Sequence, residues 1–185
     1  NHYRREWSDV ELDFATGFEP EPHHLLIEGD IDLLITTSNL PIEGISYQPL
    51  FEYESRLVLS PTHDLAEQYF VRPEDLIEQT LIAYPVEAKR LDIIANFMAP
   101  EQVSFKSIRT TELTAMLIQL VASERGVAAL PDWVVAEYEK KGWVVSRPLG
   151  DGVYCQLYAA TRTSSQDTAY MQGFASLLEG IVKPV

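Results

Sequence analysis

Residues 110–134 read TTELTAMLIQLVASERGVAALPDWV, and their pattern decides the fold class. Leu113, Met116, Leu117, Leu120 and Val121 recur at i, i+3, i+4, i+7 and i+8, the spacing of one wide apolar helix face. Thr110 or Thr111 stands where a hydroxyl can accept from the free N–H groups of a first turn. Gly126 stands where a left-handed C-terminal residue is wanted. Residues 127–130 (VAAL) are then an apolar run too short for a helix and suited to a buried strand. Pro131 ends it, Asp132 can cap a second helix reaching about Lys141, and Gly142 stops that helix. Helix, glycine, buried strand, proline, helix is the order of an open α/β sheet, in which ligands sit at strand ends and helix starts.

The same unit recurs upstream. Pro20 and Pro22 open a helix over 23–28, Gly29 closes it, and residues 31–36 (IDLLIT) form a buried strand running into Thr36-Thr37-Ser38-Asn39. Two copies without a fixed period predict two similar lobes rather than a repeat array. Residues 1–8 read as the end of a helix. Residues 10–15 (VELDFA) alternate as a strand does. Further strands are expected over 47–51, 54–60, 80–84 and 103–108, and again over 143–146 and 153–161 around a turn holding Pro148, Gly150 and Gly152. Short helices fit 63–69 and 73–78. A longer one fits 87–98, with Leu91, Ile94, Ala95 and Met98 on one face. Ser164 or Ser165 can cap a last helix to about Val182. The pieces assemble as two Rossmann-like α/β lobes with an interlobe cleft. One holds residues 1–60 plus 148–185 and the other 61–147, so the chain crosses between them twice.

The 185 residues are 46% hydrophobic, enough for a real core and against disorder. A net charge of −14 repels a phosphate backbone and argues against direct nucleic-acid binding. With one cysteine, Cys155, no internal disulfide is possible, which suits a reducing cytoplasm. No apolar run approaches the roughly 20 residues that span a bilayer. Residues 1–8 are too polar for a signal peptide, and the missing initiator Met suggests that the chain was cut from something longer.

Enzyme signals are weak. The sequence has no G-x-S-x-G elbow, P-loop or G-x-G-x-x-G. Cys155 lies mid-strand among apolar residues and reads as a packed thiol rather than a nucleophile. His24 and Glu28 are one helical turn apart beside His23, but no third metal ligand is evident, so a solvated helix face is the better reading. No catalytic residue, metal or cofactor is expected. Binding signals are better. Thr36, Thr37 and Ser38 follow a buried strand in one lobe, and Tyr84 and Pro85 follow one in the other. Thr110 and Thr111 sit at a helix start, where free N–H groups and the dipole favour a carboxylate. Glu112 beside them suits an ammonium group. Together these eight residues are candidates for gripping a small amino acid. The competing reading makes the threonines mere caps and the hydroxyl run a mere turn.

The phrases GDIDLLIT (29–36), PLFEYESRLVLSPTHDLA (49–66), PEDLIEQTLIAYP (73–85) and LIQLVASERGVAALP (117–131) carry a resemblance covering essentially the whole chain. It resembles the effector-binding domain of LysR-type transcriptional regulators. YPVEAKRLD (84–92), ALPDWVV (129–135) and LYAATR (157–162) are similar to the family's methionine-pathway activators. The resemblance implies a fold like type 2 periplasmic binding proteins, with the effector in the cleft and homocysteine as that effector. It implies an antiparallel homodimer of this domain and a tetramer of the full-length protein. DNA would be contacted only through a winged helix-turn-helix absent from these residues. It also implies a strand and loop ahead of the first helix. Their absence would leave a slot beside residues 31–36 and favour self-association. A secreted solute-binding protein and a small cleft enzyme are the alternatives on the same two-lobe plan.

Overall fold

The computed structural model describes residues 2–15 and 22–181. The expected roles of Pro20 and Val182 lie outside them. Two compact units result, one from Asn1–Glu52 with Gln156–Val185 and the other from Tyr53–Cys155. The boundaries were expected at 60/61 and 147/148, where prolines suggested breaks. Instead the chain passes between units inside two unbroken strands, β2 (Ile45–Leu59) and β6 (Val145–Arg162). Residues 47–51 and 54–60 are thus one strand except for Ser60, and 143–146 and 153–161 another except for residues 143 and 144. Gly150 (φ 57°) and Gly152 (φ 106°) let β6 run on through the expected turn. Tyr53, the first residue of the second unit, donates its hydroxyl to Asp92 Oδ2 at 3.0 Å.

In the first unit, α1 (His2–Glu6) packs on α5 (Ala169–Ile181). Tyr3 meets Phe174 edge-on at 5.1 Å, and its hydroxyl donates to the Tyr170 carbonyl at 2.9 Å. A Cβ at Gly173 would stand 2.7 Å from Trp7 Nε1, so a glycine is needed where the indole crosses the helix. Helix α2 (His23–Glu28) buries Leu26 and ends at Gly29, whose φ of 87° is the left-handed stop read from sequence. Strand β1 (Leu33–Thr36) follows and pairs antiparallel with β6, Leu33 opposite Thr161 and Thr36 opposite Tyr158. Arg162 fastens this corner, donating to the Leu26 and Ile31 carbonyls at 2.8 Å each and to Asp32 Oδ1 at 2.5 Å. Residues 10–15 are not a strand. Alternation selects a face but cannot supply a neighbouring edge, and Phe14 is left 73% exposed. Neither Ser164 nor Ser165 caps α5. Ser165 Oγ donates back to the Arg162 carbonyl, and the Thr168 carbonyl accepts from Met171 and Gln172.

In the second unit, β3 (Thr80–Ala83) and β4 (Ser107–Thr110) run parallel, Ala83 opposite Thr110. Strand β5 (Ala128–Pro131) pairs antiparallel with β2, and Val127 bridges to β3 through Val127 N to Thr80 O (2.9 Å) and Ile82 N to Val127 O (2.8 Å). Helix α3 (Thr114–Ala122) and α4 (Asp132–Glu139) cover a core of Val58, Ile82, Leu117, Ile118, Val121, Leu130, Val135 and Val144. Only part of the expected α3 face is inside. Leu117, Ile118 and Val121 are buried, while Leu113 and Met116 are 67% and 50% exposed. The helix starts three residues later than read, so Leu113 precedes it and Ile118 takes the inner position. Asp132 makes no cap bond; Pro131 holds the N-cap position.

Gly126 is not the left-handed end of α3; Glu124 is, with φ 57°. Gly126 serves close approach instead, because a Cβ there would stand 2.3 Å from the Thr80 carbonyl oxygen. Residues 63–69 and 73–78 contain only 3₁₀ turns, Asp64–Glu67 and Pro73–Leu76. The expected helix over 87–98 is a 3₁₀ turn at Ala88–Arg90 and a π-helix at Ile93–Met98. Ala99 N bonds to Ile94 O, an i to i+5 step that turns Ile93, Phe97 and Met98 inward in place of the face expected from a 3.6-residue turn.

Candidate functional site

The sequence candidates fall into two groups, one in each unit. In the second unit, both parallel strands end at the same level. Beyond Ala83 come Tyr84 and Pro85, and beyond Thr110 come Thr111 and Glu112. Thr111 N donates to Ala83 O at 3.0 Å, so the two exits stay bound together past the last strand pair. The Tyr84 hydroxyl lies 2.6 Å from Thr114 Oγ1, tying the β3 exit to the first residue of α3. Burial pushes the Tyr84 phenol pKa up; the Thr114 hydrogen bond partly opposes this, and Tyr138 adds to the rise. Tyr84, Pro85, Thr110, Thr111 and Glu112 therefore share one strand-end cluster. Thr114, absent from the sequence candidates, links it to α3. A helix start placed at Thr114 rather than Thr110 would have found it.

Thr110 and Thr111 do not cap α3. Thr110 ends β4, and the N-cap position belongs to Leu113, which has no hydroxyl. The first bond of the helix runs from Leu117 N to Leu113 O at 3.0 Å. The N–H groups of Thr114, Ala115 and Met116 find no acceptor among the described residues. A helix start with bare N–H groups attracts an anion.

In the first unit, Thr36 closes β1 and is buried, and its Oγ1 accepts from Ser38 N at 3.1 Å. One hydroxyl of the run is thus engaged in a turn, while Thr37 is exposed and Ser38 half-buried. Opposite Thr36 in the register stands Tyr158, whose hydroxyl accepts from Asn39 Nδ2 at 3.2 Å. Tyr158 also meets Tyr47 edge-on at 6.4 Å. The Tyr47 hydroxyl is buried without a hydrogen-bond partner among the described residues, and burial raises its pKa. Asn39 and Tyr158 were missed. Asn39 directly follows the run that was read, whereas Tyr158 needed the β1–β6 register.

Cys155 is buried in β6. It lies by Tyr53, whose phenol is pushed far above its ordinary value by burial first and then by Asp92 and Cys155. Among the described residues, no three His, Cys, Asp or Glu side chains gather as a metal site, and no helix is long and apolar enough to cross a membrane.

The protein-family model for the LysR substrate binding domain matches residues 1–181. The chain is 42% identical over 173 residues to the HTH-type transcriptional regulator MetR of Escherichia coli (strain K12), covering 94% of this chain and 54% of that protein. It thus spans about half the length of the curated relatives it matches. The regulatory domain of the Neisseria meningitidis LysR family regulator MetR superposes with a TM-score of 0.85 at 41% identity, over 97% of this chain and 83% of that one. The oxidized form of OxyR superposes at 0.74 with 18% identity, over 97% and 85%, a likeness of fold alone. Two α/β units, each ending its strands in a polar cluster, and a family match over nearly every residue lead to one conclusion: the chain belongs to the LysR substrate-binding domain family.

Proposed function

We propose that this chain is the effector-sensing part of a transcription regulator of methionine-biosynthesis genes, with homocysteine as its co-effector. The amino acid is held between the two units, by Thr36, Thr37 and Ser38 on one side and Tyr84, Pro85, Thr110, Thr111 and Glu112 on the other. Its carboxylate takes the bare N–H groups at the start of α3, and Glu112 or a backbone carbonyl takes its ammonium. The observation that carries this reading is the α3 start. Three N–H groups without an acceptor among the described residues stand beside Tyr84 and Thr111, in a chain 42% identical to MetR. The reading has no catalytic step. Binding biases an equilibrium between two states by as much as the ligand's affinity for them differs. The domain acts in the cytoplasm as a homodimer, within a tetramer of the full-length protein whose separate N-terminal domain contacts DNA.

Calorimetric titration with homocysteine, methionine, homoserine and cysteine tests the reading. Homocysteine is expected to bind, and Thr110→Ala or Thr111→Ala to weaken it about ten- to a hundred-fold, the range for removing a charge-assisted partner. Unchanged affinity in both variants would sink the site. Binding of another amino acid in place of homocysteine would sink the effector.

A further inference from the structure

Beside the start of α5, the first unit holds a hollow of about 160 Å³. Its apolar lining is Leu33 from β1, Ala159 from β6, and Met171 and Ala175 from α5. Its polar lining includes Ser46, Thr161, Gln166, Asp167 and Gln172. None of these five side chains makes a hydrogen bond among the described residues. With Gln48, the polar residues outnumber the four apolar ones, a mixed lining that can meet a polar head as well as a short aliphatic stem. The volume is several times the roughly 30 Å³ share of one water, which admits a ligand of under about ten non-hydrogen atoms. None of the eight residues assigned above to the effector lines it.

The lining also states the ligand's charge. Asp167 is its one ionisable group, and the others are amides and hydroxyls. A carboxylate ligand would meet a carboxylate and no cation, whereas an ammonium group would meet one opposite charge and several oxygen acceptors. Leu33, Ala159, Met171 and Ala175 offer an aliphatic stem a surface out of water. We propose that this hollow binds a small aliphatic ammonium compound, its cationic head on Asp167 and its stem on the methionine and leucine. The shared chemistry has two sources, a simple amine or the ammonium end of an amino acid. The site stands whether or not the effector reading does.

The test is an amide-resolved NMR titration of the whole chain with n-butylamine, norvaline, butyrate and n-butanol. Butylamine or norvaline is expected to shift the amides of Leu33, Thr161 and the α5 start saturably, with butyrate and butanol much weaker. Saturation by butylamine identifies the simple amine as sufficient; saturation by norvaline alone identifies the amino acid. Asp167 is exposed and makes no side-chain hydrogen bond among the described residues, so Asp167→Asn is expected to keep the fold, which its own spectrum verifies. It should weaken the ammonium ligand about five-fold, the upper range for an exposed ion pair. No saturable shift from either ammonium probe, equal binding of butanol, or an Asp167→Asn variant that binds unchanged overturns the proposal.

Discussion

Gly126→Ala is expected to destabilise the second unit more than any other single methyl added at a glycine there. The new Cβ would stand 2.3 Å from the Thr80 carbonyl oxygen and 3.1 Å from Ile82 Cγ1. An ordinary contact needs about 1 Å more, and the obstacle is backbone, which cannot swing aside as a side chain can. Residue 126 must therefore move away from β3. The bonds from Val127 N to Thr80 O and from Ile82 N to Val127 O stretch or break, and a buried backbone group left without a partner costs about 1–3 kcal/mol. The φ of 152° adds roughly 1–3 kcal/mol for any residue with a side chain. The total is about 3 kcal/mol or more. With a urea m-value of about 2 kcal/mol/M, the midpoint falls by about 1.5 M. Gly142→Ala is the control, with φ 68° and nothing within 4 Å of its Cβ. It bears only the left-handed cost, about 1–2 kcal/mol. Urea unfolding of both variants, with hydrogen exchange at Ile82 and Val127, decides the matter. If Gly126→Ala is no worse than Gly142→Ala, or those two amides stay equally protected, close approach is not why glycine stands there.

Arg162→Ala should cost about 2–4 kcal/mol by denaturant titration, because it strips a charged donor from the Leu26 and Ile31 carbonyls. Asp32→Asn should cost under about 1 kcal/mol, since Asp32 is 71% exposed. Tyr3, Tyr47, Tyr53 and Tyr84 all have phenols raised above the ordinary 10, burial being the first cause in each and the folded state therefore holding their protons longer. Their contribution to stability is complete below about pH 10 and is lost as pH rises from there through the raised folded values. Unfolding midpoints between pH 8 and 12, followed with phenolate absorbance, should show that decline, and Tyr53→Phe should flatten it; a midpoint that rises above pH 10 would contradict the linkage. In a gel shift at low salt these residues alone should not retard duplex DNA, given the charge of −14; sub-micromolar binding would contradict this.

What was legible in the sequence was whatever depends on neighbours a few residues away. The helix and its stop at 23–29 came out as read, because Gly29 can end α2 with a φ of 87° at no steric cost, whereas the strand read as buried over 31–36 is only Leu33–Thr36, with Leu33 and Leu34 half-buried and Ile35 exposed. The β3 and β5 strands were plainer, being short apolar runs, the first stopping ahead of Pro85 and the second running from just past Gly126 to Pro131. What failed depends on partners far along the chain. Residues 10–15 have the right alternation, but alternation makes a strand only beside a free edge. The 87–98 segment has helix-forming residues, yet the inward turn of Ile93, Phe97 and Met98 and the bond from Tyr53 to Asp92 go with a π turn. No local pattern encodes that choice.

The candidate site shows the same division, and there the error is informative. Thr110 and Thr111 were chosen as caps, on the premise that hydroxyls mark a helix start. They are instead the exit of β4, held to the exit of β3 by Thr111 N to Ala83 O. The true N-cap position is Leu113, which can satisfy none of the first-turn N–H groups. Had Thr111 capped α3, its hydroxyl would have occupied the donors that an incoming carboxylate needs. A leucine at the cap costs the free helix about 1 kcal/mol relative to serine or threonine. On the proposed reading, that cost leaves the donors free for a carboxylate, and this yields a measurement. Leu113→Ser should stabilise the ligand-free chain by about 1 kcal/mol while weakening homocysteine, since the new hydroxyl competes for the same N–H groups. If the serine stabilises the chain and leaves homocysteine affinity untouched, the carboxylate is bound elsewhere and the α3 start is only a poorly capped helix.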